Sequence, residues 1–174
     1  MSIRRATIDD LATLQALGEQ TYREHFQELW TEPWLNRFLE QDFSDQALRH
    51  SLQDNPCTTW LLTLDEDDLP CGFAKVNWQA TAPIPTIASI ELQKIYLTRH
   101  RVGTGMGRRL LGAVIDLARV NGHHSIWLEV LKTNTKAQQF YTSMGFEYVG
   151  EIPYATDLYE IGMRVLVKSI SPRG

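Results

Sequence analysis

The segment that most limits the fold of this chain runs from residue 88 to residue 146. Ala88 to Leu97 has the composition of a strand, and a glycine-rich turn leads from it into an amphipathic helix. A second apolar strand, Ser125 to Leu131, and a second helix, Asn134 to Met144, follow. Strand–helix–strand units fold as right-handed parallel crossovers, so we predict a mixed α/β domain.

The turn Val102-Gly-Thr-Gly-Met-Gly107 has the composition of a phosphate-binding loop. Glycines at alternate positions let the backbone approach a ligand, and the positive end of the following helix attracts an anion. The chain has no GxxxxGK[ST] string, and a dinucleotide fingerprint fails because Arg108 takes its third glycine position. The alternative is a tight turn whose glycines serve geometry alone. The arginines around the turn are Arg99, Arg101, Arg108 and Arg109.

The other elements follow from hydrophobic periodicity and capping residues. Before residue 57 we predict a short strand and three helices; after it, a hairpin and two closing strands. The strands are predicted at residues 3–6, 58–64, 71–78, 146–152 and 158–167, and the helices begin near Thr7, Pro33 and Ser44.

Charge is divided unevenly along the 174 residues, which we expect to form one domain over 1–174. Residues 1–70 hold 14 Asp/Glu against 5 Lys/Arg, and residues 71–174 hold 7 against 12, which gives the net charge of -4. A net-acidic chain is a poor general binder of nucleic acid. No apolar run reaches the ~18–20 residues of a membrane helix, and no signal peptide is apparent. We therefore expect a cytoplasmic protein that binds neither nucleic acid nor membrane.

No metal site is predicted from the sequence. Cys57 and Cys71 form no CxxC pair and lack a nearby histidine, so they are interpreted as reduced thiols. His123 and His124 are adjacent at the start of a strand, where their side chains point to opposite faces.

A second motif, Asn134-Thr-Lys-Ala137 followed by Phe140-Tyr141-Thr-Ser-Met-Gly145-Phe146, lies about 30 residues after the glycine turn. The two motifs in this order resemble the GNAT superfamily of acetyl-CoA-dependent N-acetyltransferases, with the pattern [RQ]-x-x-G-x-[GA] and then N-x-x-A-x-x-F/L-Y-x-x-x-G-F. The second half matches at every marked position, whereas Val102 replaces the family's Arg or Gln.

The resemblance implies the GNAT fold: a central, mostly antiparallel sheet of six to seven strands, splayed at a parallel strand pair and flanked by helices. It also implies acetyl-CoA as co-substrate and no metal. A narrower likeness, to the bacterial PaiA-type spermidine/spermine acetyltransferases, is carried by Thr21-Tyr-Arg-Glu-His-Phe26, Glu91-Leu-Gln-Lys-Ile-Tyr-Leu97 and Ile126-Trp127-Leu128.

Acetyl transfer to an amine needs a base, an oxyanion donor and a proton for the departing thiolate. The resemblance implies that Tyr141 is the acid and that Glu91 or Glu129 is the base, with Glu91 ranked first. The alternatives are a core tyrosine and two solvated carboxylates at strand edges. The cofactor-binding residues implied by the resemblance are Ile95, Tyr96, Leu97, Val102, Gly103, Thr104, Gly105, Met106, Gly107, Arg108, Asn134, Ala137 and Tyr141.

The acceptor is expected to be a small-molecule amine, plausibly a polyamine, because carboxylates and aromatic faces attract a polycation. Predicted substrate contacts are Glu19, Tyr22, His25 and Trp34, with Glu24 and Trp30 as further candidates. Helical spacing alone leaves surface or core roles open for each of these. Two other functions remain: a protein N-terminal acetyltransferase and a non-catalytic acyl-CoA-binding regulatory module. Either a monomer or a homodimer is compatible with the sequence.

Overall fold

A seven-stranded sheet forms the centre of the computed structural model, which describes residues 1–85 and 90–170. The predicted strand at 88–97 begins at Glu91, and its first two residues lie outside the described part of the chain. The strands are β1 Ser2–Arg5, β2 Thr58–Leu64, β3 Pro70–Asn77, β4 Glu91–Leu97, β5 Ser125–Leu131, β6 Glu147–Ile152 and β7 Met163–Ser169.

Within the described residues, five α-helices pack against this sheet, together with three short helical turns. Thr7 and Asp10 form a capping box that starts the first helical region. Ser44 caps the third helix, where its side chain accepts a hydrogen bond from the Ala47 N–H. The helices are α1 Leu11–Phe26, α2 Glu32–Phe43, α3 Asp45–Arg49, α4 Met106–Val120 and α5 Thr135–Ser143; the short turns are Ile8–Asp10, His50–Asp54 and Arg99–Arg101.

The strand order is β1-β2-β3-β4-β5-β7-β6, and β4 and β5 form the parallel pair within an otherwise antiparallel sheet of described strands. Their pairing is confined to Glu91 opposite Trp127, next to a 2.9 Å bond from Trp127 N to Ile90 O. Beyond this point the two strands separate. The predicted fold class, including the splayed parallel pair, is confirmed.

Within the described residues, alternating side chains form two large cores on opposite faces of the sheet and a smaller cluster around Trp127 and Val165. On β2, Trp60 and Leu62 pack under α1–α3, whereas Leu61 between them packs on the α4 side. Strand side chains alternate with period two, so the central strands β2, β3 and β4 contribute to both of these cores. The separated strand ends thus lie between the α1–α3 layer and the α4–α5 layer.

The last strand begins later than predicted. Residues 158–162 do not pair in it, because the chain folds back on itself: the N–H groups of Ile161 and Gly162 both donate to Tyr154 O at 2.9 Å. Gly162 has φ of 76°, a left-handed conformation that glycine adopts without strain. The connection from 153 to 162 therefore forms a compact loop.

Among residues 1–85 and 90–170, the structure contains no helix long and apolar enough to cross a bilayer.

Candidate active site

A cavity of about 840 Å³ opens where β4 and β5 separate. Its walls include Ile95, Tyr96 and Leu97 from the end of β4, and Glu129 from β5. The glycine turn and α5 contribute to one end, and the second half of α1 with Tyr154 contributes to the other. The splayed strands thus create a channel between the two helical layers.

The free edge of β4 presents backbone polar groups to this cavity. Thr98 N donates to Cys71 O of the neighbouring chain segment at 2.9 Å. Because hydrogen-bonded and non-bonded pairs alternate in an antiparallel ladder, the N–H and C=O groups of Leu97 and Ile95 point away from β3, into the gap. This orientation fits the predicted role of both amides as partners of an extended ligand.

His25 already forms a hydrogen bond with one of these groups, the Leu97 carbonyl. Its Nε2 atom lies 2.8 Å from Leu97 O. A carbonyl accepts only, so Nε2 carries the proton and donates. The imidazole therefore attaches the end of α1 to the end of β4, and the predicted substrate contact also has a structural role.

The glycine turn has the backbone of an anion-binding loop. Gly103 and Gly105 adopt φ of 82° and 87°, and a β-carbon on either would meet no protein atom within 4 Å. Gly105 precedes α4 without a side-chain cap, so the first N–H groups of that helix are left for a ligand. This open loop at a helix N-terminus fits a group that carries phosphates.

The cations flanking the turn have separate roles. Arg101 points to the acidic turn before β3, with Nη2 2.5 Å from Asp65 Oδ2. Arg99 is held at α1, where its backbone N–H donates to Glu24 Oε2 at 2.6 Å. Arg108 lines the cavity, and so does Lys136. Lys136 was missed in the sequence, although it lies within the second motif, because a lysine there is an ordinary exposed helical residue.

The start of α5 also lies on the cavity wall. Asn134 caps this helix by accepting from Ala137 N at 3.1 Å, and both residues line the cavity. Tyr141, two turns on, packs its ring against Phe140 and Phe146 at centroid distances of 5.3 and 5.7 Å. Burial and then the neighbouring Tyr96 phenol raise the pKa of Tyr141, so its hydroxyl keeps its proton at neutral pH.

The two candidate bases are in different surroundings. Glu129 lines the cavity, and its pKa is raised by burial and then by the charge of Glu91. Glu129 is nevertheless exposed to solvent at the cavity, so its burial is only partial. Glu91 is absent from the lining of this cavity, and its Oε2 atom accepts a 2.7 Å hydrogen bond from Asn77. Of the two predicted bases, Glu129 therefore lies on the cavity wall and Glu91, which was ranked first, does not.

Aromatic rings from α1, α2, β4 and the loop before β7 form a second part of the cavity wall, the aromatic end. Phe26 contacts Trp30 and Tyr96 at centroid distances of 6.0 and 5.5 Å, and Trp30 stacks on Phe38 at 5.3 Å. Neither Phe38 nor Tyr154 was predicted from the sequence to line the site. Phe38 has the helical spacing of a core residue, and Tyr154 lies in a loop. The rings that line the cavity here belong to Tyr22, Phe26, Trp30, Phe38, Tyr96 and Tyr154.

Two predicted substrate residues lie outside the cavity lining. Glu19 forms an ion pair with Arg23 at 3.2 Å on the exposed face of α1. Trp34 is half exposed and packs its ring under Arg37. Both face away because helical phase, which the sequence fixes only approximately, turns them from the sheet. Glu24 and Glu28, in contrast, line the cavity.

Two predicted cofactor residues also lie outside the lining. Thr104 donates its hydroxyl to Arg101 O at 2.7 Å, which stabilises the turn from within. Met106 is buried in the core beneath α4. Their neighbours Val102, Gly103, Gly105, Gly107 and Arg108 form the wall instead.

A contact across 126 residues closes the aromatic end. Thr31 N donates to Asp157 Oδ1 at 3.2 Å, and the Thr31 hydroxyl also donates to this carboxylate. Thr31 is the N-cap of α2, so Asp157 supplies a negative charge at the helix N-terminus. The loop that carries Tyr154 is thereby attached to the α1–α2 connection.

Within the described residues, no group of three or more His, Cys, Asp or Glu side chains is arranged to hold a metal ion. The groups present on the cavity walls are proton donors, acceptors and anion-binding amides.

An open helix N-terminus, a free strand edge and an adjacent aromatic pocket line one cavity, and this arrangement suits an elongated anionic ligand beside a second molecule. The family comparison specifies the class: residues 20–146 match the model of the acetyltransferase (GNAT) family, and the chain belongs to that family.

Relatives and solved structures agree with this assignment. Streptothricin acetyltransferase from Streptomyces lavendulae is 36% identical over 118 residues, covering 68% of this chain and 59% of that protein. A probable spermine N(1)-acetyltransferase from Bacillus subtilis subsp. natto is 29% identical over 82 residues, 47% of this chain and 50% of that protein. The matches thus span between half and three-fifths of these two relatives.

The fold itself is matched over nearly the whole chain. The PaiA N-acetyltransferase of Thermoplasma acidophilum, solved in complex with coenzyme A, superimposes with a TM-score of 0.77 at 20% identity and covers 97% of this chain and 98% of that one.

Proposed function

We propose that this protein transfers the acetyl group of acetyl-CoA to a primary amine by direct attack within a ternary complex. The observation that carries the proposal is one continuous cavity, which joins the open glycine turn to Tyr141 and Glu129. In the described chain, neither cysteine lines that cavity, so an acyl-enzyme on a thiol has no support.

Backbone groups are proposed to hold the co-substrate. The glycine turn and the first amides of α4 bind its phosphates, and Arg108 and Lys136 add positive charge. The amides of Ile95 and Leu97 pair with the pantetheine arm in the manner of an added strand. Asn134 and Ala137 contact the arm at the start of α5.

Acetyl-CoA supplies the activated thioester, and the side chains of this chain move the protons. Glu129 accepts the proton of the acceptor ammonium, directly or through a water molecule, since its raised pKa brings it nearer to that of the amine. The Leu97 N–H is proposed to donate to the oxygen that becomes negative. Tyr141 is proposed to give its proton to the departing sulfur, because its phenol is neutral and lies on the cavity wall.

The acceptor end favours a small cation over a neutral molecule. Glu28 and Glu129 provide negative charge, and six aromatic rings provide faces that attract an ammonium group. We therefore propose a polyamine as the acceptor class. A peptide N-terminus is the second candidate, because Glu129 lies on the cavity wall and is exposed to solvent.

Screening against amines tests both levels of the proposal. Purified protein with acetyl-CoA is offered spermidine, spermine, a diamine and a ribosomal N-terminal peptide, and both free thiol and acetylated product are measured. Acetylation of the polyamines supports the proposal, and acetylation of the peptide alone replaces the substrate class. Coenzyme A binding without acetylation of any amine would instead indicate a regulatory acyl-CoA-binding module.

A matched pair of variants tests the role of negative charge. Glu28→Gln removes a carboxylate that lines the cavity, whereas Glu19→Gln removes one that is paired outside it. We expect the KM for spermidine to rise about threefold to fivefold in Glu28→Gln alone, because this variant removes one charge that solvent partly screens. Equal KM values in both variants would remove the electrostatic support for a polyamine.

A further inference from the structure

A buried ion pair lies directly behind the aromatic end of the cavity. Lys94 of β4 is 6% exposed, and its Nζ lies 2.5 Å from Asp42 Oδ2 of α2 and 3.0 Å from Tyr22 Oη of α1. The ammonium also lies over the rings of Tyr22 and Phe43, 5.5 and 5.6 Å from their centroids. Neither Lys94 nor Asp42 lines the cavity, but Tyr22 does. One aromatic ring thus separates the ion pair from the acceptor.

The direction of the contact with Tyr22 is set by chemistry. An ammonium group has three N–H donors and no lone pair, so Tyr22 Oη must accept from Lys94. The Tyr22 hydroxyl keeps its own proton to donate. Its ring packs edge to face against Tyr96 with 5.4 Å between centroids, and both residues line the cavity.

The charge of Lys94 would oppose the proposed function if it were unbalanced. A cation one ring behind the wall repels a cationic amine, and the low polarity of the aromatic surroundings strengthens that repulsion. Lys94 acts on Lys75 of β3 in this way: burial and then the charge of Lys94 lower the pKa of Lys75. Asp42, at 2.5 Å, cancels this charge where the acceptor is bound.

We propose that Lys94 and Asp42 are a positioning pair for the acceptor: Lys94 orients the Tyr22 hydroxyl, and Asp42 screens Lys94 so that a cationic amine can occupy the aromatic end. This inference rests on the proposed amine acetylation and extends it to residues that touch neither substrate. It predicts effects of opposite sign for the two members of one ion pair, which a purely structural role does not.

The experiment compares Asp42→Asn, Lys94→Met and the double variant with the wild type at pH 8, using spermidine and acetyl-CoA. Asp42→Asn leaves an uncompensated cation, and we expect the KM for spermidine to rise about tenfold. Lys94→Met leaves an uncompensated carboxylate, and this KM should fall. The double variant should return to the wild-type KM for spermidine, and the KM for acetyl-CoA should stay within about twofold throughout.

Thermal unfolding of each variant identifies any that does not fold. In that case the double variant and Tyr22→Phe decide the question. If Lys94 acts through Tyr22, kcat should fall both in the Asp42→Asn/Lys94→Met double variant and in Tyr22→Phe. Combining all three substitutions should lower kcat no further than Tyr22→Phe alone does. Asp42→Glu, which keeps the charge, should retain the wild-type KM for spermidine.

A rise in the spermidine KM for both single variants, with no recovery in the double variant, would show a structural role and overturn the inference. Additive losses of kcat would overturn it in the same way. The wild type is the reference for the proposed function: if it acetylates spermidine, a negative result concerns the ion pair alone. If it acetylates no amine, the proposed function and this inference fall together.

Discussion

The two ends of the cavity are built on different principles. The end with the glycine turn combines the backbone groups of the turn and of the first turn of α4 with a few side chains, among them Arg108, Asn134 and Lys136. The acceptor end consists of side chains from α1, α2, β4, β5 and the loop before β7. If the proposed function holds, the co-substrate shared by the family is bound largely through backbone geometry, whereas the acceptor is selected by side chains, which can change without loss of the fold.

The largest expected effect lies at the junction of the two ends. Tyr141→Phe removes the proposed acid and keeps the ring contacts with Phe140 and Phe146, so we expect kcat to fall by about 10² or more with the KM for acetyl-CoA unchanged. Steady-state assays of thiol release measure kcat and the KM for acetyl-CoA. Tyr159→Phe is the control, since Tyr159 is exposed on the loop before β7. An unaltered kcat in Tyr141→Phe would exclude this residue as the acid.

A second test compares the two carboxylates. Glu129→Gln should lower kcat/KM by about 10², whereas Glu91→Gln should leave it close to the wild-type value. The pKa of Glu129 is raised, so its basic form is lost as pH falls through a value above that of an ordinary glutamate, and the wild-type rate should fall with it.

The pH–rate profile of the variants provides the control for this assignment. Glu129→Gln should abolish that acidic limb. Glu91→Gln should move the limb to lower pH, because it removes the second cause of the raised Glu129 pKa, the neighbouring negative charge. If the fall in rate at acidic pH disappears in Glu91→Gln and persists in Glu129→Gln, Glu91 is the base, as ranked from the sequence.

The third test concerns the cofactor end. Gly105→Ala and Gly122→Ala both place a β-carbon at positive φ, 87° and 75°, with no protein atom within 4 Å. Each should lower the free energy of unfolding by about 1–2 kcal/mol. Gly105→Ala alone should raise the KM for acetyl-CoA, by about tenfold, because its methyl group occupies the wall of the cavity. Equal KM values in the two variants would show that the turn serves geometry alone.

The smallest effect is expected at the loop that closes the acceptor end. Asp157→Ala removes the acceptor of the Thr31 N–H and hydroxyl. We expect the KM for the amine to rise about threefold to fivefold and the KM for acetyl-CoA to stay constant. Glu160→Ala, in the same loop, is the control. A change in the acetyl-CoA constant would mean that the two ends are not independent.

The difference between the two ends also explains which parts of the site could be predicted. The glycine turn and the Asn134–Phe146 motif were identified because each lies within one segment of about a dozen residues, where spacing determines geometry. The resemblance also implied Glu129 and Tyr141, and both line the cavity. The predicted residues outside the lining include Glu19 on α1 and Trp34 on α2, where helical phase decides which side chains face the sheet.

The sequence by itself determined the α/β class, the parallel crossover and the backbone loop, because these depend on local periodicity and on glycines at fixed positions. Only the tertiary structure decided which carboxylate reaches the cavity, and it revealed the Lys94–Asp42 pair and the Thr31–Asp157 contact. These features depend on the separation of β4 and β5 and on contacts between residues that are 52 and 126 positions apart in the sequence. Local pattern carries no information about such distances, because the packing of two helical layers against one splayed sheet sets them.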